Sequence, residues 1–272
     1  MAGISSPQNA DVASAPKKLA SGIRSRVSRI AITLILAVGA ITGLVFGLYP
    51  QLDLSISALF YDPLRHTWPA TNNALLALHR DFSAYVAAIL VIIAIILGAV
   101  GTICRREPWL RWPRAAGFLI GSCLLGPGLI VNTLLKPEWG RPRPADVLTF
   151  GGRLPFVPWW NPFGACDGNC SFVSGETSLA FWVLAWALVL PRRYRAATAT
   201  AALVNCLVLS AGRIAMGGHF TSDVLFAVIV TALAIWLSYI IAFGEFAFMR
   251  HRSAQHPVNG GIGPRGPLSR KP

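Results

Sequence analysis

Three clusters of polar residues carry the chemistry written into this chain. Lys136 and Arg143 stand in the run KPEWGRPRP (136–144), Ser174, Gly175 and Glu176 in SFVSGETS (171–178), and Arg213, His219 and Asp223 in GRIAMGGHFTSD (212–223). Guanidinium forks match phosphate oxygens, and a lysine adds a point charge. Ser174-Gly175 reads as the start of a helix, where free backbone N–H groups and the positive dipole end also favour an anion. His219 and Asp223 are four residues apart and share a face if a helix begins there. A carboxylate on one imidazole nitrogen leaves the other poised as base or nucleophile. Together these groups describe phosphoryl transfer through a phosphohistidine. Each also has a plain reading: an interfacial cation that snorkels, a helix cap at Ser174, a loop histidine, a turn at Gly217-Gly218. The combination and its spacing favour the chemical reading.

The elements that must position these groups are membrane helices. Of 272 residues 54% are hydrophobic and 13% charged, with a mean hydropathy of +0.56. Soluble domains carry about 25% charged residues, and disorder needs low hydrophobicity. Both classes are excluded. The expected fold is all-α, a polytopic membrane protein with six transmembrane helices. Spans of about 20 apolar residues fall at roughly 30–49, 82–104, 115–135, 175–191, 196–212 and 223–243, the fourth and fifth separated only by Arg192, Arg193, Tyr194 and Arg195. Residues 1–29 read as a basic cytoplasmic tail, 30–248 as the membrane domain and 249–272 as a disordered cytoplasmic tail. The first helix is read as an uncleaved span, since its apolar run is long for a signal peptide.

The net charge is +13. In a soluble protein that would indicate nucleic acid; in a membrane protein it records orientation. With the N-terminus inside, 17 of the 24 Lys and Arg residues lie on the inner side. Both termini are therefore expected in the cytoplasm, and all three clusters on the opposite face. The partners this implies are the bilayer and a lipid phosphate, with no nucleic acid. Cys104, Cys123 and Cys206 fall in predicted helices as packing residues. Cys166 and Cys170, in the outward loop, form either a small disulfide ring or a free pair, and make a poor zinc site. Trp139, Trp159 and Trp160 in that loop read as interfacial anchors, with sugar stacking as the alternative.

The three clusters resemble the signature of the type 2 phosphatidic acid phosphatase superfamily: K-x6-R-P, then P-S-G-H, then S-R-x5-H-x3-D. Lys136 and Arg143-Pro144 carry the first part, Val173-Ser174-Gly175-Glu176 stands at the second, and Gly212-Arg213, His219 and Asp223 carry the third. The resemblance covers roughly residues 115–240 and points to the membrane lipid-phosphatase branch. It implies that His219 attacks phosphorus, that Asp223 orients it, and that Lys136, Arg143, Arg213, Ser174 and the Gly175 backbone bind the phosphate. No metal or other cofactor is expected, because Arg and Lys supply the positive charge. It also implies a substrate at the periplasmic face of a bacterial cytoplasmic membrane. Lipid A phosphate is favoured, with undecaprenyl diphosphate and phosphatidylglycerol phosphate as alternatives.

The sequence departs from the signature at Val173, Gly212 and Glu176. Glu176 occupies the place of the histidine that protonates the leaving group. Three outcomes follow: Glu176 is itself the acid, outward His66 or His79 replaces it, or no general acid is needed. Two non-catalytic readings rival it: a lipid-phosphate carrier, against which the His219–Asp223 pair argues, and a degenerate family member, for which Glu176 is the best argument.

Overall fold

Proline and asparagine punctuate the long apolar runs and set where the helices stop and start. A computed structural model describes the backbone of residues 8–107 and 109–244, with side chains from residue 26 onward. Helix α1 (Gln8–Leu48) ends just before Pro50, which opens the short α2 (Gln51–Ala58). Asn73 caps α3 (Ala74–Cys104), its side chain accepting from Leu75 N and Leu76 N at 3.0 and 3.2 Å. Helix α4 (Trp112–Cys123) winds on into a π-helical stretch (Leu124–Leu135) and then α5 (Lys136–Glu138). After a long loop come α6 (Gly175–Trp182), α7 (Ala185–Val189), α8 (Arg192–Ala215) and α9 (Thr221–Phe243). Pairing between strands is confined, among the described residues, to two isolated bridges.

The all-helical expectation holds, and its boundaries need correction. Among the described residues five helices are long and apolar enough to cross a membrane: Arg26–Leu48, Ala74–Cys104, Trp109–Glu138, Arg192–Ala215 and Thr221–Phe243. The fourth expected span is shorter, an apolar helix over Gly175–Val189 that loosens into a turn at Val183 and Leu184. The second span starts eight residues before the expected 82, because the Asn73 cap draws the polar run His79-Arg80-Asp81 into the first turns of α3. Residues 8–29, expected as a basic tail ahead of the first span, continue α1 as helix. The expected C-terminal tail 249–272 lies outside the described residues.

The outside of the bundle is apolar, with Leu34, Leu44, Ile89, Ile96, Leu207 and Ile241 all exposed. That is the surface a bilayer requires. Inside, Phe118, Leu119, Trp182, Trp186 and Ile235 form the main apolar cluster. Small polar pairs join helices: Ser178 with Thr231 at 2.6 Å, Thr177 with Ser210 at 3.1 Å, and Trp182 Nε1 donating to Ser122 Oγ at 3.1 Å. Such pairs hold helices together where the surroundings offer no hydrophobic driving force. Within the third span, Pro127 lacks an N–H for the α-helical ladder, and the wider winding around it carries Lys136 to the site end of the bundle.

Candidate active site

Backbone hydrogen bonds bring the three clusters to one end of the bundle. Ser171 N donates to Arg141 O at 2.8 Å, Ala145 N to Gly217 O at 3.0 Å, and Ser174 N to Asp223 O at 3.3 Å. The first cluster is thus tied to the second and the third, and the second to the third. The loop between α2 and α3 closes the arrangement from the side, with Trp68 packed against Gly217.

His219 is 1% exposed. Its Nδ1 lies 2.8 Å from the Ser171 carbonyl oxygen. A carbonyl only accepts, so Nδ1 carries the proton and Nε2 keeps its lone pair. Burial holds the imidazole well below its ordinary pKa of 6.5, and like-charge repulsion from Arg213, Lys136 and Arg143 adds to this, against a smaller opposing effect of the Ser171 bond. The ring is therefore neutral and nucleophilic near pH 7.

Asp223 does not hold His219 in the way expected. Its Oδ2 stands 4.0 Å from Nδ1. The carboxylate sits in the first turn of α9 and accepts Phe220 N–H at 2.8 Å, while Ser171 Oγ and Arg141 Nη1 take its other lone pairs. The helix terminus and a buried arginine claim it first. Its hold on the imidazole passes through Ser171, whose hydroxyl bonds Asp223 and whose carbonyl bonds His219.

Arg141, which the spacing argument passed over, is wholly buried. It donates through Nε to Val157 O at 2.8 Å, through Nη1 to Ser222 Oγ at 2.8 Å and to Asp223, and through Nη2 to Asp53 Oδ2 at 2.8 Å. Its guanidinium also lies over the Phe220 ring, 4.5 Å from the centroid. Asp53 arrives from α2 and could not be found by spacing.

The cations above the imidazole are placed differently. Lys136 and Arg143 are half-buried, and Arg143 Nε is buried with no hydrogen-bond partner among the described residues. Lys136 stands within electrostatic reach of Arg143, Arg213 and Glu176. Arg213, from the last turn of α8, lies against Gly218, where a Cβ would fall 2.6 Å from its Nη2. Gly217 turns the chain there with φ +69°. The glycine pair is thus more than a turn, since it lets a guanidinium settle beside His219. Ser174 caps α6, its Oγ accepting Thr177 N at 3.3 Å, and Gly175 opens that helix against Asn132.

Glu176 points at the arginines. Its Oε2 is 2.6 Å from Arg213 Nε, and its Oε1 is 3.9 Å from Arg80 Nε. The closer contact is an ion pair without hydrogen-bond alignment, so both atoms remain open to a better-directed partner. Of the two alternative histidines, His66 pairs with the Tyr61 hydroxyl at 3.2 Å, while His79 lines a small cleft between α3 and α8 with Arg80 and Arg213. Cys166 and Cys170 are joined in a disulfide, and Cys166 N donates to Gly140 O at 2.9 Å. Trp139 packs on Phe172 and donates to Trp159 O at 2.6 Å, and Trp159 packs on Phe226 at 4.3 Å. These two tryptophans hold the loop in place; Trp160 is the exposed member of the three.

The arrangement pairs a neutral imidazole with a ring of cations open to an anion, which is what attack on a bound phosphate group requires. The profile of the PAP2 superfamily matches residues 115–247. A lipid A 4'-phosphatase of Francisella tularensis subsp. novicida is 34% identical over 219 residues, covering 80% of this chain and 98% of that protein. Lipid A 4'-phosphatases of Rhizobium leguminosarum and Rhizobium etli are each 37% identical over 143 residues, or 53% of this chain, covering 58% and 52% of those proteins. No solved structure matches the chain.

Proposed function

Because this chain belongs to the PAP2 superfamily, in its membrane lipid-phosphatase branch, we propose that it removes a phosphate group from lipid A at the periplasmic face of the bacterial inner membrane. His219 Nε2 attacks phosphorus as the bond to the lipid oxygen breaks, and water then cleaves the phosphohistidine to inorganic phosphate. Lys136, Arg143 and Arg213 hold the phosphate oxygens, with Ser174 Oγ and the N-terminal amides of α6 beside them. In this reading the cations do the electrostatic work and no metal takes part. The observation that carries it is the His219 tautomer. Nδ1 is committed to the Ser171 carbonyl, so the free nitrogen is Nε2, under three cations.

The relatives' names support lipid A as substrate, and the excess of Lys and Arg on one side supports cytoplasmic termini with the site on the other face. Glu176, paired with Arg213, fits a charge partner better than a proton donor. That observation favours a second reading in which the leaving group needs little protonation, as with the diphosphate of undecaprenyl diphosphate.

Purified protein in micelles, given radiolabelled lipid A and the two alternative lipids, tests the reading. Phosphate release from lipid A that His219→Gln abolishes supports it. Binding without release would instead identify a lipid-phosphate carrier.

A further inference from the structure

Two buried carboxylates share one guanidinium beneath His219, and one of them lies outside the region that matches the family. Asp53, in the first turn of α2, is 1% exposed. It accepts from Arg141 Nη2 at 2.8 Å, from Ser222 Oγ at 2.5 Å and from Ser222 N at 2.9 Å. Asp223 accepts from Arg141 Nη1, Ser171 Oγ and Phe220 N. Every one of these contacts is a donor, as ionised carboxylates require. Two negative charges against one positive leave a surplus, and a buried surplus is costly unless something offsets it. The group facing it is the His219 ring, 4.0 Å from Asp223 Oδ2.

An imidazole phosphorylated at Nε2 that keeps its Nδ1 proton is cationic. Lys136, Arg143 and Arg213 above the ring oppose that charge, so the offset has to come from below. We propose that Asp53 is a positioning residue: by sharing Arg141 it leaves Asp223 incompletely neutralised, and the remaining negative charge stabilises His219 in its phosphorylated form. This rests on the phosphohistidine reading. The Nε2–P bond forms as the P–O bond to the lipid breaks, and the departing oxygen takes its proton from solvent. The Nδ1 proton stays on the ring, bonded to Ser171 O. Water then attacks phosphorus, the N–P bond breaks with its electron pair returning to Nε2, and a proton is released to solvent. Positive charge on the ring rises in the first step and falls in the second.

Two anions separate this role from a structural one. Orthovanadate bonds to an imidazole nitrogen and creates the ring charge, whereas inorganic phosphate occupies the cation ring without that bond. In micelles, Asp53→Asn should weaken vanadate inhibition about tenfold, change phosphate inhibition less than about twofold, and lower kcat more than KM. Ser222→Ala, which removes hydrogen bonds but neither charge, should lower Tm and keep the vanadate preference. Equal weakening of both anions in Asp53→Asn, or the same lost preference in Ser222→Ala, overturns the proposal. Should Asp53→Asn not be recovered folded, Asp53→Glu keeps the charge and must keep the preference; its loss there overturns the proposal too. His219→Gln tells the two failures apart. Phosphate release that survives it removes the phosphohistidine itself, while an inactive His219→Gln beside an unchanged vanadate preference in Asp53→Asn removes only the role of Asp53.

Discussion

The charges on the two sides of His219 are handled in opposite ways. Below the ring, Arg141, Asp53, Asp223, Ser171 and Ser222 are all at most 1% exposed, and the side-chain nitrogens and oxygens of all five are hydrogen-bonded. Above it, Arg143 Nε has no hydrogen-bond partner among the described residues, and Arg213 touches Glu176 without hydrogen-bond alignment. A buried polar group left unpaired costs about 1–3 kcal/mol or more when charged. The lower layer avoids that cost within the protein, whereas the upper layer leaves it to be met by an anion. On the proposed reading, two arginines two residues apart serve different ends, Arg141 stability and Arg143 recognition.

Substitutions in the two layers should therefore separate stability from binding. Arg141→Gln leaves two carboxylates buried without their cation, and removing one partner of a buried pair costs about 3–5 kcal/mol. A large fall in Tm in detergent is expected, with loss of activity following it; a normal Tm would erase the distinction between the layers. Arg143→Ala should leave Tm nearly unchanged and lower kcat/KM about 10²–10³-fold, the usual effect of removing one donor to transition-state charge. Measured on lipid A in micelles, a Tm loss matching that of Arg141→Gln would place Arg143 in the lower layer.

The pH dependence follows from the depressed pKa of His219. The free enzyme keeps a neutral imidazole below pH 6.5, so the acid limb of kcat/KM should lie below that value. Unfolded chains take up the proton near 6.5 and the folded protein only at lower pH. Stability from this residue is thus full above 6.5 and falls as pH drops through that value toward the folded pKa. Replacing His219 by Gln should flatten that part of the stability profile. The smallest effect is expected at the contact between the upper layer and protein. Glu176→Gln removes a competing carboxylate from Arg213 and should tighten inhibition by inorganic phosphate several-fold, an effect of the size of a partly exposed ion pair. A kcat loss confined to monoesters, with diphosphates spared, would instead make Glu176 the general acid.

The upper layer was largely legible in the sequence, and of the lower one only Asp223 was. Lys136, Arg143, Arg213 and His219 announce themselves by residue type, spacing and position at helix ends. The partners of Arg141 are set by tertiary contact, across 82 residues to Asp223 and 88 to Asp53, and no periodicity records that. The i, i+4 spacing of His219 and Asp223 suggested a direct bond, yet α9 starts only at Thr221, so His219 lies before the helix and turns to Ser171 instead. Hydropathy located every long helix but misplaced the start of α3, because a capping asparagine outweighs three polar residues in the turns that follow.

The helix over Gly175–Val189 rises only about 22 Å at 1.5 Å per residue, against a hydrocarbon thickness of about 30 Å. Non-helical chain at such depth survives only when walled off from lipid, and the five residues leading into the helix, Cys170 to Ser174, are all buried. On the proposed reading, a phosphate site at the start of this helix lies within the leaflet, where a membrane lipid reaches it from alongside more readily than a water-soluble ester does.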